Sequence, residues 1–297
     1  MRRFISRRLH ILAILSLLAL IAGQFGAYHW FAELFSHFLP YYTFIFLLAT
    51  IASSGYKRWI WLACTLGSVL WLMQPLTWWQ RHAAHDAPDN SATLIWYNIN
   101  LHNPAATEES AYLLAKNADI LALSEMHPND SAWHNLRANY PYRCEHIDDS
   151  PFALALWAKT PWQDCAVYFI DTFPYIRAIL ADGTALYVLH PPPPINPFLA
   201  RAREKYLRLS AQSITLDERV IAVGDFNSSP FSPLFRRFMR DSRTISHTPY
   251  WLPTWQPFFL NIDHVFSRHQ ALTVQPLPWQ HSDHRPLKIV HQNIQVF

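Results

Sequence analysis

The first quarter of this sequence constrains the rest, because its long apolar runs cannot be left in water. From Leu9 to about Tyr28 the chain is nearly uncharged and rich in Leu, Ile and Ala, which meets the roughly 20 residues a helix needs to cross a bilayer. A second run covers Phe38 to Ser54. A third runs from Trp59 to about Trp79, ending on Trp78 and Trp79 where an interfacial aromatic belt would lie.

These runs predict three membrane helices, at about 9–28, 38–54 and 59–79. A cleaved signal peptide, with Arg2, Arg3, Arg7 and Arg8 as its basic start, would explain the first run but not the two that follow. Arg and Lys are absent between the first two runs, whereas Lys57 and Arg58 separate the second from the third. The N-terminus and that second loop are therefore expected on the cytoplasmic side. An odd number of crossings then puts everything after Arg81 outside, in the periplasm if the membrane is a bacterial inner membrane. A re-entrant second run would change the parity and return the domain to the cytoplasm.

Residues 1–81 thus read as a membrane anchor, 82–91, with Pro88, Asp89 and Asn90, as a linker, and 92–297 as a globular domain long enough for a full core. The net charge of +3 lacks the dense basic stripe of a dedicated nucleic-acid binder. Only 6 glycines accompany 22 prolines, so stiff, proline-bounded loops are expected in place of flexible linkers. Cys64 lies in an apolar run. Cys144 and Cys165 sit near predicted strands and either pair in an oxidising compartment or stay as buried thiols.

The domain alternates strand and helix. Thr93 to Ile99 is β-rich, and Thr107 is a plausible N-cap with Glu108 and Glu109 in the first helical turn. Asp119 to Ser124 is a second apolar run, followed by a helical stretch from about Asn129 to Asn139 that Pro141 ends. Short runs at Phe152 to Ala158, Cys165 to Ile170 and Ile176 to Leu180, the last joined to Leu186 to Leu189 by a turn at Asp182 and Gly183, predict antiparallel strands. A long helix after the prolines at 191–194 leads to a buried strand at Val220 to Val223. Mixed strands and helices imply a layered α/β sandwich.

Almost every predicted strand ends on a polar residue. Asn98 and Asn100 follow the first, Glu125 the second, His190 the hairpin strand, and Asp225 and Asn227 the next buried strand. Asp263 and the run Ser282-Asp283-His284-Arg285-Pro286 come later. Each alone has an ordinary explanation as a cap, an Asx-turn or a surface ion pair. Together they supply carboxylates, amides and imidazoles at the ends of core strands, where a rigid sheet can bring them to one rim. Such a set suits phosphate-ester hydrolysis with Mg²⁺ or Mn²⁺, which prefer hard oxygen ligands, and Glu125 and Asp283 are the best ligand candidates. No C-x-x-C or H-E-x-x-H spacing points to zinc.

These residues resemble the endonuclease/exonuclease/phosphatase superfamily, over about residues 92 to 291. The resemblance rests on Tyr97-Asn98-Ile99-Asn100, Leu123-Ser124-Glu125-Met126, Val188-Leu189-His190, Gly224-Asp225-Phe226-Asn227, Ile262-Asp263-His264-Val265 and Ser282-Asp283-His284. It implies a four-layer α/β sandwich, two packed mixed sheets flanked by helices, and a divalent-metal-dependent phosphoric ester hydrolase. Glu125 would bind the metal, with Asn98 close to it and Asp283 near the same centre. Asp225 would align or activate the attacking water and Asn227 would orient it or the phosphate. His284 would contact the scissile phosphate, Asp263 would fix its tautomer, and His190 would be the second imidazole. Asn100 stands where several family nucleases have a metal-site aspartate, which puts a second strongly held metal in doubt.

The expected activity is that of a phosphodiesterase or nuclease. Alternatives are a lipid or inositol phosphate phosphatase or phosphodiesterase, and a catalytically inactive membrane-tethered binding module. The expected substrate is a nucleic acid or a phospholipid head group, and no protein partner is predicted. Arg236, Arg237, Arg240 and Arg243 form one rim of a nucleic-acid groove or a solvated helix face. The aromatics Tyr250, Trp251, Trp255, Phe258 and Phe259 suit a lipid substrate or ordinary core packing.

Overall fold

The computed structural model describes residues 2–74, 92–127 and 131–291. The N-terminal part is helical: α1 (Arg2–Gln24), α2 (Trp30–Leu34), a 3₁₀ turn (Phe35–Phe38), α3 (Leu39–Ala52) and α4 (Tyr56–Leu72). Among the described residues two stretches, Phe4–Gln24 and Trp30–Ala52, are long and apolar enough to cross a membrane, where the sequence led us to expect three. The third run gives α4, 17 residues long. The rest of that run, with Trp78 and Trp79, and the 82–91 linker lie outside the described residues. The second stretch starts earlier than Phe38, because Glu33, Ser36 and His37 interrupt the apolar pattern yet are buried.

The helices run back and forth. At one end Ser6 Oγ donates to the Ala52 carbonyl at 3.1 Å and a His10 ring nitrogen lies 2.9 Å from Ser53 Oγ. At the other, Gln24 accepts from Arg236 at 2.8 Å and the Trp71 ring packs edge-on against Phe231, 5.6 Å between centroids.

Two six-stranded mixed sheets make the globular part. The first has the order β11-β12-β1-β2-β4-β3 and the second β5-β6-β7-β8-β10-β9. Their strands are β1 (Ala92–Asn98), β2 (Ile120–Ser124), β3 (Tyr142–His146), β4 (Leu154–Ala158), β5 (Asp164–Ile170), β6 (Phe173–Ile179), β7 (Ala185–Leu189), β8 (Val220–Asp225), β9 (Ile245–Ser246), β10 (Asp263–Arg268), β11 (Leu272–Pro276) and β12 (Leu287–His291). β1 pairs with β2, and β7 with β8, in parallel.

The central strands read as continuous apolar runs because both their faces are covered. Between the sheets, Leu94, Trp96, Ala122 and Leu156 meet Ile176, Val188, Ile221 and Val223. On the outer face of the first sheet Ile95, Tyr97, Leu121 and Trp157 pack with Leu113 of α5 (Ala106–Lys116) and Leu136 of α6 (His134–Asn139). On the outer face of the second, Tyr187, Leu189 and Ala222 pack with Tyr206 and Ala211 of α7 (Pro197–Ile214) and Phe235 and Phe238 of α8 (Pro233–Ser242). The layers therefore run helix, sheet, sheet, helix. Leu20, Leu39, Trp71 and Leu72 of the N-terminal helices join this last cluster.

One local reading changes, and one pair of alternatives is decided. α5 begins at Ala106 with Ala105 as its cap residue and no side-chain cap, so Thr107 lies inside the first turn. Cys144 and Cys165 are free and half-buried, the second of the two alternatives the sequence leaves open.

Candidate functional site

Strand direction gathers the polar residues. β1 and β2 run parallel, as do β7 and β8, so Asn98 and Glu125 lie at the ends of one pair and His190 and Asp225 at the ends of the other. β10 runs antiparallel to β8 with Asp263 opposite Asp225, so Asp263 opens a strand where the sequence had it end one. The Ser282–His284 run leads into β12, antiparallel to β1, and reaches the same rim for the same reason. Gly224 is dictated by close approach: a Cβ there would sit 2.0 Å from the Leu189 carbonyl oxygen.

Asn98 is fully buried and joins the two sheets. Its Nδ2 donates to Glu125 Oε1 at 2.8 Å and to Asp225 Oδ2 at 3.2 Å, while its Oδ1 accepts from the Asn100 amide. His190 Nε2 lies 3.6 Å from Glu125 Oε1 and 3.8 Å from Asp225 Oδ2. His284 Nε2 approaches Asp225 Oδ2 from another side, at 3.7 Å. Asp225 Oδ1 accepts from the Asn227 amide, and Asn227 Nδ2 donates to the Pro191 carbonyl. Asn100, Glu125 and Asn227 all have positive φ, at 64°, 58° and 47°. Asn adopts this region readily; for Glu125 it costs about 1–2 kcal/mol, strain of the kind that collects at functional sites.

The two histidines differ electrostatically. Burial alone would lower the pKa of His284, but the Asp263 carboxylate 2.8 Å from Nδ1, with Asp225 and Asp283 nearby, raises it to about 10. His284 is therefore an imidazolium at neutral pH. The Asp263 carboxylate itself accepts from Trp96 Nε1 at 2.8 Å, and its backbone amide donates to the Thr254 hydroxyl at 2.9 Å. Burial pushes the pKa of His190 below its ordinary value against the pull of Glu125, so this ring is neutral, its Nδ1 buried without a hydrogen-bond partner among the described residues. Burial pushes the Asp225 carboxyl up to about 8, opposed by His284 and reinforced by Asp263.

Glu125, His190 and Asp225 bring three donor atoms within 4.8 Å of one another, as do Asp225, Asp263 and His284. The first group fits a hard divalent cation: it offers carboxylate oxygens with a neutral imidazole, and a cation there would relieve the cost of ionising buried Asp225. Asp283 belongs to neither group. Its Oδ1 accepts from Asn100 Nδ2 at 2.7 Å and its Oδ2 from Trp255 Nε1 at 2.8 Å.

Several supporting residues gave no local signal. Buried Glu109 accepts from Tyr97 Oη and from the amides of His281 and Ser282, fixing the loop that carries His284. Buried Arg203 donates to the Asn227 carbonyl at 2.6 Å and pairs with Glu33 of α2. In sequence, Glu109 is one of two acids in a helix start and Arg203 one of several cations on a helix.

No curated protein matches the sequence. Among solved structures, sphingomyelinase C from Streptomyces griseocarneus is similar with a TM-score of 0.52 and 17% identity, over 68% of this chain and 99% of that one. Humanized TDP2 from D. rerio is similar with a TM-score of 0.55 and 15% identity, over 69% of this chain and 100% of that one. The human Nocturnin catalytic domain has a TM-score of 0.52 and 19% identity, over 68% of this chain and 94% of that one. At such identities these likenesses speak for the fold alone. Residues 95–284, more than half of the sequence, match the endonuclease/exonuclease/phosphatase family, and the chain belongs to it.

Proposed function

We propose that the protein is a divalent-metal-dependent phosphodiesterase, held on the outer face of a membrane by its N-terminal helices. The observation that carries the reading is the position of Asp225 Oδ2, within 3.8 Å of the imidazoles of both His190 and His284 and 3.2 Å from Asn98. A carboxylate, a neutral ring and a protonated ring around one point can take a proton from water and return one to a leaving oxygen.

Glu125 and Asp225, with Asn98 beside them, would hold Mg²⁺ or Mn²⁺, with His190 Nε2 left to exchange a proton, and Asp283 and Asn100 lie just outside that group. The bound cation would offset charge on the phosphate as water attacks. Asp225 accepts the proton of the attacking water, and Asn227, fixed by Pro191 and Arg203, orients that water or the phosphate. The water oxygen bonds to phosphorus and the bond to the departing alcohol breaks. His284, charged and oriented by Asp263, donates from Nε2 to the phosphoryl oxygens as charge develops there. His190, neutral and with its Nε2 3.8 Å from Asp225 Oδ2, takes on the proton that Asp225 accepted from water and passes it to the leaving oxygen.

Three crossings with an outside domain, in a bacterial inner membrane with the domain in the periplasm, are supported by how the helix ends divide. The end formed by Ser6, His10, Ala52 and Ser53 carries Arg7, Arg8, Lys57 and Arg58, the bias expected of a cytoplasmic face, whereas Gln24 and Trp71 touch the globular domain. The test uses the full chain in detergent with bis(p-nitrophenyl) phosphate. Hydrolysis that needs Mg²⁺ or Mn²⁺, stops with EDTA and falls by several orders of magnitude in Asp225→Asn is expected; a metal-independent rate, or one unchanged in that variant, overturns the reading.

A further inference from the structure

The globular domain cannot swing freely from its anchor. Arg203 of α7 and Glu33 of α2 form a buried ion pair, and Glu33 also accepts from Ser232. His37 lies 2.9 Å from Ser229 Oγ, and Arg236 donates to Gln24 while covering the Trp71 ring. Buried contacts of this kind fix the domain's height above the helices, and hence the height of its catalytic rim.

One face of α3 is an exposed apolar stripe, Tyr41, Phe44, Leu47 and Ile51, spaced three and four residues apart as a lipid-facing ridge requires. The stripe does not stop at the helix end. Tyr41 Oη donates to the Phe258 carbonyl at 2.8 Å, and the Phe258 ring meets Phe38 with centroids 6.2 Å apart. Phe258 in turn touches Trp255, whose ring lies 6.4 Å from His284 and whose Nε1 holds Asp283. Phe258 and Phe259 are 53% and 62% exposed at this junction. An apolar path thus leads from the lipid-facing side of a membrane helix to the catalytic imidazolium through a single loop.

Three of the four arginines that would form a basic rim are engaged within the protein, and the fourth, Arg243, is exposed past the end of α8. Arg236 serves Gln24, Trp71 and the Phe231 carbonyl, Arg237 pairs with Glu204 and Asp241, and Arg240 pairs with Asp241. The helix therefore presents fewer free cations than its sequence suggests, short of the continuous basic stripe expected along a nucleic-acid groove.

We propose that the substrate is a phospholipid of the bilayer in which the anchor sits, its chains lying along the α3 stripe and its head-group phosphodiester reaching Asp225 and His284 past Trp255 and Phe258. The proposal rests on the hydrolase reading above, with water entering at phosphorus and an alcohol leaving.

The full chain, reconstituted in vesicles of phosphatidylcholine, phosphatidylethanolamine and phosphatidylglycerol, is tested for release of a phosphomonoester. A single-stranded oligonucleotide and bis(p-nitrophenyl) phosphate serve as soluble substrates. The double substitution Phe258→Ser, Phe259→Ser is expected to slow lipid hydrolysis by roughly tenfold or more, the scale of two aromatic side chains withdrawn from apolar surroundings, with the soluble diester within about twofold of wild type. Higher kcat/KM on the oligonucleotide than on lipid, or equal loss on lipid and soluble diester, overturns the proposal. A photoreactive phosphatidylcholine, applied to the Asp225→Asn variant, separates access from chemistry. Crosslinking within residues 255–260 without turnover of any substrate by wild type would uphold lipid entry and refute the hydrolase reading; its absence refutes lipid entry.

Discussion

Glu33 in the N-terminal helices and Arg203 in the globular domain form an ion pair closed to water, with side chains 1% and 0% exposed. Removing one partner leaves a charge buried without compensation, whereas removing both does not. Glu33→Ala should therefore cost about 3–5 kcal/mol, and Glu33→Leu combined with Arg203→Leu should recover most of it. Chemical unfolding of the full chain in detergent measures both, and a midpoint unmoved by Glu33→Ala would show that the pair does not carry the interface. Because Arg203 also holds the Asn227 carbonyl, the single variant should lower activity even where it stays folded.

Asp263 acts through His284. In Asp263→Asn the amide no longer selects the ring orientation and proton position that the carboxylate imposes at Nδ1. A loss of about 10²–10⁴ in kcat on bis(p-nitrophenyl) phosphate is expected, with KM little changed. Steady-state kinetics in saturating Mn²⁺ check this; a purely structural role would instead show as a lower unfolding midpoint with near-normal kcat.

The same pair sets a pH dependence of stability. The pKa of His284 is raised in the folded protein to about 10, above the ordinary 6.5 of the unfolded chain. The folded state therefore holds its proton more tightly, and the stabilisation is fully present below pH 6.5 and lost as pH rises through about 10. Thermal midpoints of metal-free protein should fall across that window, and the fall should be shallower in Asp263→Asn.

Asp225 links metal and proton. Burial lifts its folded pKa to about 8, so metal-free protein at neutral pH carries a proton on this carboxyl. A cation favours the ionised form and must displace that proton. Binding of Mn²⁺ at pH 6.5 should release about one proton, the release should fade above pH 8, and the apparent affinity should rise with pH between these limits. Calorimetry in two buffers of different ionisation enthalpy reads the proton count directly; Asp225→Asn should abolish it.

The sequence showed the strands best where both faces are covered. Thr93 to Ile99, with the unbroken run Leu94 to Tyr97, and the apolar Val220 to Val223 stand out, and they correspond to β1 and β8. β3 and β9, at the outer edges of the two sheets, have no such run, and β9 is only two residues long. The rim residues were visible because strand ends mark themselves by a change from apolar to polar. What joins them across the chain was not: Trp96 holding Asp263, Glu109 holding the Ser282 amide and Glu33 holding Arg203 are pairings between positions 167, 173 and 170 residues apart. Glu33 and His37 were hidden further, since a polar residue beside an apolar run reads as the end of a membrane helix until a partner surface covers it.

The Asn100 amide bears on how many cations the site takes, because a carboxylate in its place beside Asp283 would add a second pair of hard oxygen donors. Asn100 Nδ2 donates to Asp283 Oδ1 at 2.7 Å, so the pair is satisfied without metal. Asn100→Asp, which keeps the shape and tolerates the positive φ, puts two carboxylates at that distance; one must hold a proton or a cation must lie between them. Wild-type activity should follow Mn²⁺ with a Hill coefficient near one. The variant should be less stable in EDTA, gain more stability than wild type from added Mn²⁺, and show a steeper metal dependence. A wild-type curve already cooperative in metal would show that Asn100 and Asp283 share a second cation despite the amide.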